Sequence, residues 1–122
     1  VAPLTGHRVF VYGSLRRGER CHDVLGDARF LGMHRSTASF TMLDLGAYPG
    51  VVEGGSTAIT GEVYQLGAQR LRLLDRFEGC PREFRRSWLA TPWGEAWIYL
   101  LGRRRPRRVP RVASGDWCRR RR

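Results

Sequence analysis

The chain contains no lysine and no asparagine, and only three of its 122 residues are cysteine. Cys21, Cys80 and Cys118 are odd in number and lack CxxC spacing, which excludes a disulfide framework and points to reduced, structurally minor thiols. Histidine is equally sparse. His7, His22 and His34 are scattered, with no HExxH and no paired Cys/His set, so no metal is expected. Long apolar runs are missing too: apolar residues make up 42% of the chain, but none of their runs approaches the ~20 residues that span a bilayer. No membrane partner is expected. The first residues, VAPLTGHR, have neither the charged region nor the apolar run of a secretory signal. The setting these absences imply is cytoplasmic.

Without lysine, all 22 cationic side chains are arginine, and the formal net charge is +11. That charge is unevenly spread. Residues 103–122 hold ten Arg against one Asp, or +9, whereas residues 1–102 hold twelve Arg against ten acids, or +2. The length suits one domain with a hydrophobic core, here residues 1–102, followed by an Arg-rich tail at 103–122. The tail begins GRRRPRRVPR, whose prolines and repelling charges predict an extended, mobile segment unless a partner neutralises it. Its cations are suited to salt-dependent phosphate binding, but Trp117 is its only aromatic, so a base-stacking platform is missing. Nucleic acid is therefore a secondary partner at most, and a solvated tail is the plainer reading. SGDWC is less tail-like, and a Trp117 folded back on the domain would leave only RRRR free.

Local patterns predict an α+β fold. The run at 9–12 is β-prone and ends in the turn signal Gly13-Ser14. Cys21, Val24, Leu25 and Ala28 lie at helical spacing and predict a short helix. Strands follow at 30–33 and 39–43, then a turn cluster at 46–50. In the β-rich stretch 57–65, Gly61 marks a bulge or the close approach of another backbone. A helix over 68–78 is closed by Gly79 and stopped by Pro81. Strands at 84–91 and 96–101 are joined through Pro92, Trp93 and Gly94 as a hairpin. Short strands with few helices favour a small, mixed, barrel-like sheet flanked by short helices.

Two stretches hold candidate chemistry. In LDRFEGCP the acid Glu78 falls at the end of the predicted helix, against the negative end of its dipole. At about 100° per residue, the seven steps from Leu71 to Glu78 leave their side chains about 20° apart, so the acid shares the apolar face that Leu74 widens. Desolvation and the dipole should both raise its pKa, which suits a general base that must return its proton near neutral pH. A frayed terminal acid reaching water, Arg85 or Arg86 is the alternative, and the commoner one on periodicity alone. The second stretch is Tyr12-Gly13-Ser14-Leu15. A Gly directly after a buried strand admits close backbone approach, and successive N–H groups there can cradle an anion. An ordinary strand-ending turn is the alternative. Ser14 lacks a GxSxG elbow and an identifiable His partner, which argues against serine-hydrolase chemistry.

VFVYGSLRRGER, GAYPGVV, GEVYQL and LDRFEGCPREFRR, taken in order, resemble the γ-glutamylcyclotransferase-like superfamily, nearest its γ-glutamylamine cyclotransferase and AIG2-like branch. SGDW near the end resembles a family ending. The resemblance implies a small mixed β-barrel with flanking helices and a pocket for a γ-glutamyl group, bound by Tyr12, Gly13, Ser14 and Leu15. It maps the catalytic acid onto Glu78. The implied reaction is an acyl transfer within the substrate, in which a γ-glutamyl amine cyclises to 5-oxoproline and releases its amine. No cofactor is implied, because the nucleophile is tethered to its electrophile. Relatives often carry Tyr where this chain has Phe84 and Asn where it has Cys21. Phe84 keeps an aromatic wall beside the substrate but loses a hydroxyl donor. Tyr48 and Pro49 match the family's GAYPG, read here as a structural turn. A non-catalytic binding module, its Arg-rich tail engaging nucleic acid or an acidic partner, is the alternative to the enzyme.

Overall fold

The computed structural model describes residues 6–102 and 108–119. Seven strands and one α-helix make up its framework: β1 (His7–Val11), β2 (Arg29–Arg35), β3 (Phe40–Asp44), β4 (Pro49–Glu53), β5 (Thr60–Leu66), α1 (Ala68–Phe77), β6 (Phe84–Thr91) and β7 (Gly94–Leu101). Five strands form one sheet in the order β2-β5-β1-β7-β6, and β3 pairs with β4 in a separate hairpin. All pairings are antiparallel except β1 with β7, which run parallel through Val9↔Trp97 and Phe10↔Ile98.

Strand alternation divides the interior into two clusters, because successive side chains point to opposite faces. Val9, Val11, Tyr99 and Leu101 face the side covered by Leu71 and Leu74 of α1. Phe10, Ile98 and Leu100 face a second cluster with Met42, Val51, Ile59 and Trp117. Burying Leu71 and Leu74 stabilises the docking of α1 by about 1.5–3 kcal/mol each. The helix thus lies over the sheet's central strand, and its C-terminal end comes close to where β1 ends.

The mixed α+β class agrees with the sequence pattern, but a closed barrel is not present among the described residues. The five-stranded sheet keeps two open edges, β2 and β6. Curling still brings these ends together through side chains: the Trp93 indole, at the β6–β7 tip, packs over Gly32 of β2, where any Cβ would collide with the ring. The predicted helix around Val24 is a single 3₁₀ turn, His22–Leu25. The cluster at 46–50 is a turn only in part, since Pro49 and Gly50 begin β4. Gly61 does mark a close approach, with the Val11 carbonyl and the Phe10 ring occupying the space a side chain would need.

The C-terminal segment 108–119 packs against the domain. Asp44 N–H donates to the Pro110 carbonyl at 2.8 Å, Val112 N–H to Met42 at 2.9 Å, and Thr60 N–H to Gly115 at 2.9 Å. Trp117 is 1% exposed within the core, the folded-back arrangement that SGDWC suggests. A division at residue 102 therefore does not part this segment from the domain. The expectation of an extended Arg-rich tail falls, for residues 103–107 and 120–122, outside the described residues.

Candidate active site

A cavity of about 320 Å³ opens at the C-terminal end of β1 and is walled mainly by apolar atoms. All six site residues singled out from the sequence line it: Tyr12, Gly13, Ser14, Leu15, Glu78 and Phe84. They come from the loop that follows β1, the end of α1 and the start of β6. The architecture, rather than any local motif, brings them together.

The loop leaves β1 as a tight turn closed by Arg16 N–H donating to the Gly13 carbonyl at 3.0 Å. The N–H groups of Gly13, Ser14 and Leu15 have no backbone acceptor among the described residues. Successive unpaired N–H groups of this kind suit an anion. Gly13 is required sterically, because a Cβ there would lie 2.6 Å from the Pro49 ring. Pro49 and Tyr48 thus form the cavity's opposing wall, and the Tyr48 and Phe84 rings approach with centroids 6.1 Å apart. Local composition marks Tyr48 and Pro49 only as a turn. In the fold they also shape the site.

Glu78 caps α1. Its N–H donates to Leu74 at 2.8 Å, Gly79 N–H to Arg76 at 3.1 Å and Cys80 N–H to Asp75 at 2.9 Å, while Gly79 takes the left-handed φ of 66°. This closure satisfies the last carbonyls and ends the helix on a fixed residue. The Glu78 side chain is partly buried and meets no hydrogen-bond donor among the described residues, neither Arg85 nor Arg86. Arg85 pairs instead with Glu53 at 2.9 Å and Arg86 with Asp75 at 3.0 Å. Burial pushes the Glu78 carboxyl up to about 7.

The surrounding hydroxyls are tied down. Tyr12 donates to the Tyr99 carbonyl at 2.6 Å, and the Tyr99 hydroxyl donates to Asp75 Oδ1 at 2.7 Å. Burial, and then the charge of Glu78, raises the Tyr12 pKa well above its ordinary value. Burial and the bond to Asp75 raise Tyr99 as well, and burial pushes Cys80 up to about 11. These groups stay protonated at neutral pH, where Glu78 exchanges its proton. Tyr99, Phe77, Arg20 and Glu83 also line the cavity but were not singled out from the sequence. Tyr99 reads there as one aromatic in a strand, and nothing local reveals that β7 lies beside β1.

No group of three or more His, Cys, Asp or Glu side chains suited to a metal occurs among the described residues. No described helix is long and apolar enough to cross a membrane.

One cavity of this α+β domain is thus lined by a desolvated acid and by a loop whose N–H groups have no backbone acceptor among the described residues. The chain belongs to the Gamma-glutamyl cyclotransferase, AIG2-like family, whose pattern matches residues 9–119. It is 44% identical over 114 residues to a Vibrio cholerae protein provisionally named a gamma-glutamylcyclotransferase, covering 93% of this chain and 97% of that one. It is 37% identical over 90 residues to the gamma-glutamylaminecyclotransferase of Rattus norvegicus, covering 66% of this chain and 60% of the relative. The crystal structure of an AIG2-like protein from Mus musculus superposes with a TM-score of 0.78 at 30% identity, covering 91% and 88% of the two chains.

Proposed function

We propose that this chain is a γ-glutamylamine cyclotransferase, in which Glu78 is the general acid/base and the loop Tyr12-Gly13-Ser14-Leu15 holds the glutamyl end of the substrate. One observation carries the reading. An acid whose pKa is brought to about 7 by burial lines the same cavity as three consecutive N–H groups without backbone acceptors.

The chemistry follows from the charges. The substrate's α-carboxylate meets the N–H groups of the loop, which costs the protein little because among the described residues they have no backbone acceptor. Ionised Glu78 takes a proton from the α-ammonium group. The freed nitrogen attacks the γ-carbonyl carbon four bonds along the same chain, closing a five-membered ring, so binding need only fold the substrate into a near-attack shape. Protonated Glu78 then delivers its proton to the departing nitrogen as the γ-amide bond breaks. The ring nitrogen sheds its second proton by the same route, so the products are 5-oxoproline and an ammonium ion, and Glu78 ends ionised as it began. A carboxyl titrating near neutrality suits both halves of the cycle. Phe84 supplies an apolar wall beside the γ-glutamyl group, while Tyr48 and Pro49 close the cavity against the loop.

The test is release of 5-oxoproline from a panel of γ-glutamyl amines by the wild type and by Glu78→Gln. The substitution should lower kcat by about 10²–10⁴-fold, the span of general acid/base catalysis. Equal turnover by both proteins would remove Glu78 from the chemistry. A wild type inactive on the whole panel, yet binding its members, would favour a non-catalytic pocket.

A further inference from the structure

The turn that presents the unpaired N–H groups has a brace behind it, on residues that do not line the cavity. Arg16 is 6% exposed, yet it is charged. Its Nε meets Glu62 Oε2 at 3.1 Å and its Nη1 meets Asp116 Oδ1 at 2.7 Å. The other Glu62 oxygen accepts from Arg17 N–H at 3.0 Å and from the Tyr64 hydroxyl at 2.9 Å. The chain therefore leaves the turn through two consecutive residues bound to a single carboxylate.

That carboxylate is well placed for the task. Glu62 pairs with Val11 in the β1–β5 register, at the point where β1 ends and the turn begins. Asp116 comes from the far end of the sequence but is equally fixed. It sits between Gly115, whose carbonyl accepts from Thr60 N–H, and the buried Trp117. Its Oδ1 also accepts from Cys118 N–H at 3.1 Å. A guanidinium clasped between two anchored carboxylates has little rotational freedom, since Arg presents its donors in a rigid planar fork.

We propose that Arg16 is a positioning residue for γ-glutamyl binding: held between Glu62 and Asp116, it sets the turn 13–16, so the C-terminal segment governs substrate affinity without touching substrate. The proposal rests on the cyclotransferase reading above. It assigns Glu62 and Asp116 a role in the site although neither lines it, and it explains why a segment beginning among so many arginines returns to the domain.

Two variants test it. Asp116→Asn keeps the side-chain shape and leaves the Arg16–Glu62 pair in place. Arg16→Lys keeps the charge but offers one nitrogen to two carboxylates. Hydrogen exchange at the hydrogen-bonded amides of residues 16 and 17, measured without substrate, should quicken about tenfold or more in both, as expected when a local opening becomes easier. With γ-glutamyl-n-butylamide as the probe, KM should rise about tenfold in Asp116→Asn and further in Arg16→Lys, while kcat stays within about threefold, because the turn acts on binding geometry. Unchanged exchange in both folded variants would overturn the brace, and so would a fall in kcat at constant KM. If the wild type forms no 5-oxoproline, the cyclotransferase reading falls, while the exchange measurement still decides the brace.

Discussion

Glu62 and Glu78 stand beside the same loop, one bound to it from behind and the other across the cavity it lines. Glu62, behind the loop, is 3% exposed and is met by Arg16, Arg17 N–H and Tyr64. Glu78, on the cavity, is partly buried, and among the described residues no donor meets its side chain. Removing a carboxylate from water is costly in both places. Donors offset that cost at Glu62 and make it a structural fixture. At Glu78 the cost is left standing and shows itself as a carboxyl that holds its proton up to about pH 7. The difference between a strut and a carboxyl that titrates near neutrality is thus made by neighbours and not by residue type.

The largest test of this contrast is Arg16→Ala. Taking the guanidinium from between the buried Glu62 and the half-buried Asp116 should cost about 3–5 kcal/mol of folding stability, measured by denaturant unfolding. A loss within the ~0–1 kcal/mol range of exposed pairs would make the brace an ordinary surface contact.

A smaller effect, of opposite sign, is expected at Glu78. Its folded-state pKa of about 7 lies above the ordinary 4.5. The stability it contributes is therefore fully present below the unfolded value and is lost as pH rises through about 7. Discounted for partial exposure, the ionised side chain should cost about 1–2 kcal/mol at alkaline pH. Glu78→Gln should accordingly raise the thermal midpoint at about pH 8 and leave it nearly unchanged near pH 4. A variant less stable than wild type at both would mean that Glu78 has a partner.

The finest test is the acidic limb of kcat/KM. It should fall about tenfold per pH unit below an apparent pKa near 7, because in the proposed mechanism only ionised Glu78 accepts the substrate's proton. A limb centred near the ordinary carboxyl value would show that the free enzyme does not desolvate this acid.

Much of one side of this contrast is legible in the sequence. Leu71, Leu74 and Glu78 share a helical phase, and Gly79 with Pro81 marks the stop, so a core-side acid at a helix end follows from local spacing alone. Desolvation is the cause of its raised pKa, whereas its place at the helix end suggests the dipole as well. The other side is hidden, because Arg16, Glu62 and Asp116 lie far apart in sequence and each reads as an ordinary surface charge. Only strand register and the return of the C-terminal segment bring them together. Residues 46–50 mislead for a related reason: Pro and Gly mark turns by local preference, but Pro49 is the first residue of β4, where its missing N–H is tolerated. Among the described residues the expected barrel does not close at its edges. Short strands predict curling, and here the curl ends in Trp93 packing over Gly32 rather than in a closing ladder.

The parallel pairing of β1 with β7 has a bearing on the timing of biosynthesis. Tyr12 contacts Tyr99 across 87 positions, and Arg16 contacts Asp116 across 100. A ribosome making this chain releases the strand that starts the pocket first, yet that strand must wait for its neighbour and its brace until residue 117 has emerged. Pairings so distant in sequence close late. The loop that lines the pocket therefore stays without its neighbour and its brace until residue 117 has been made.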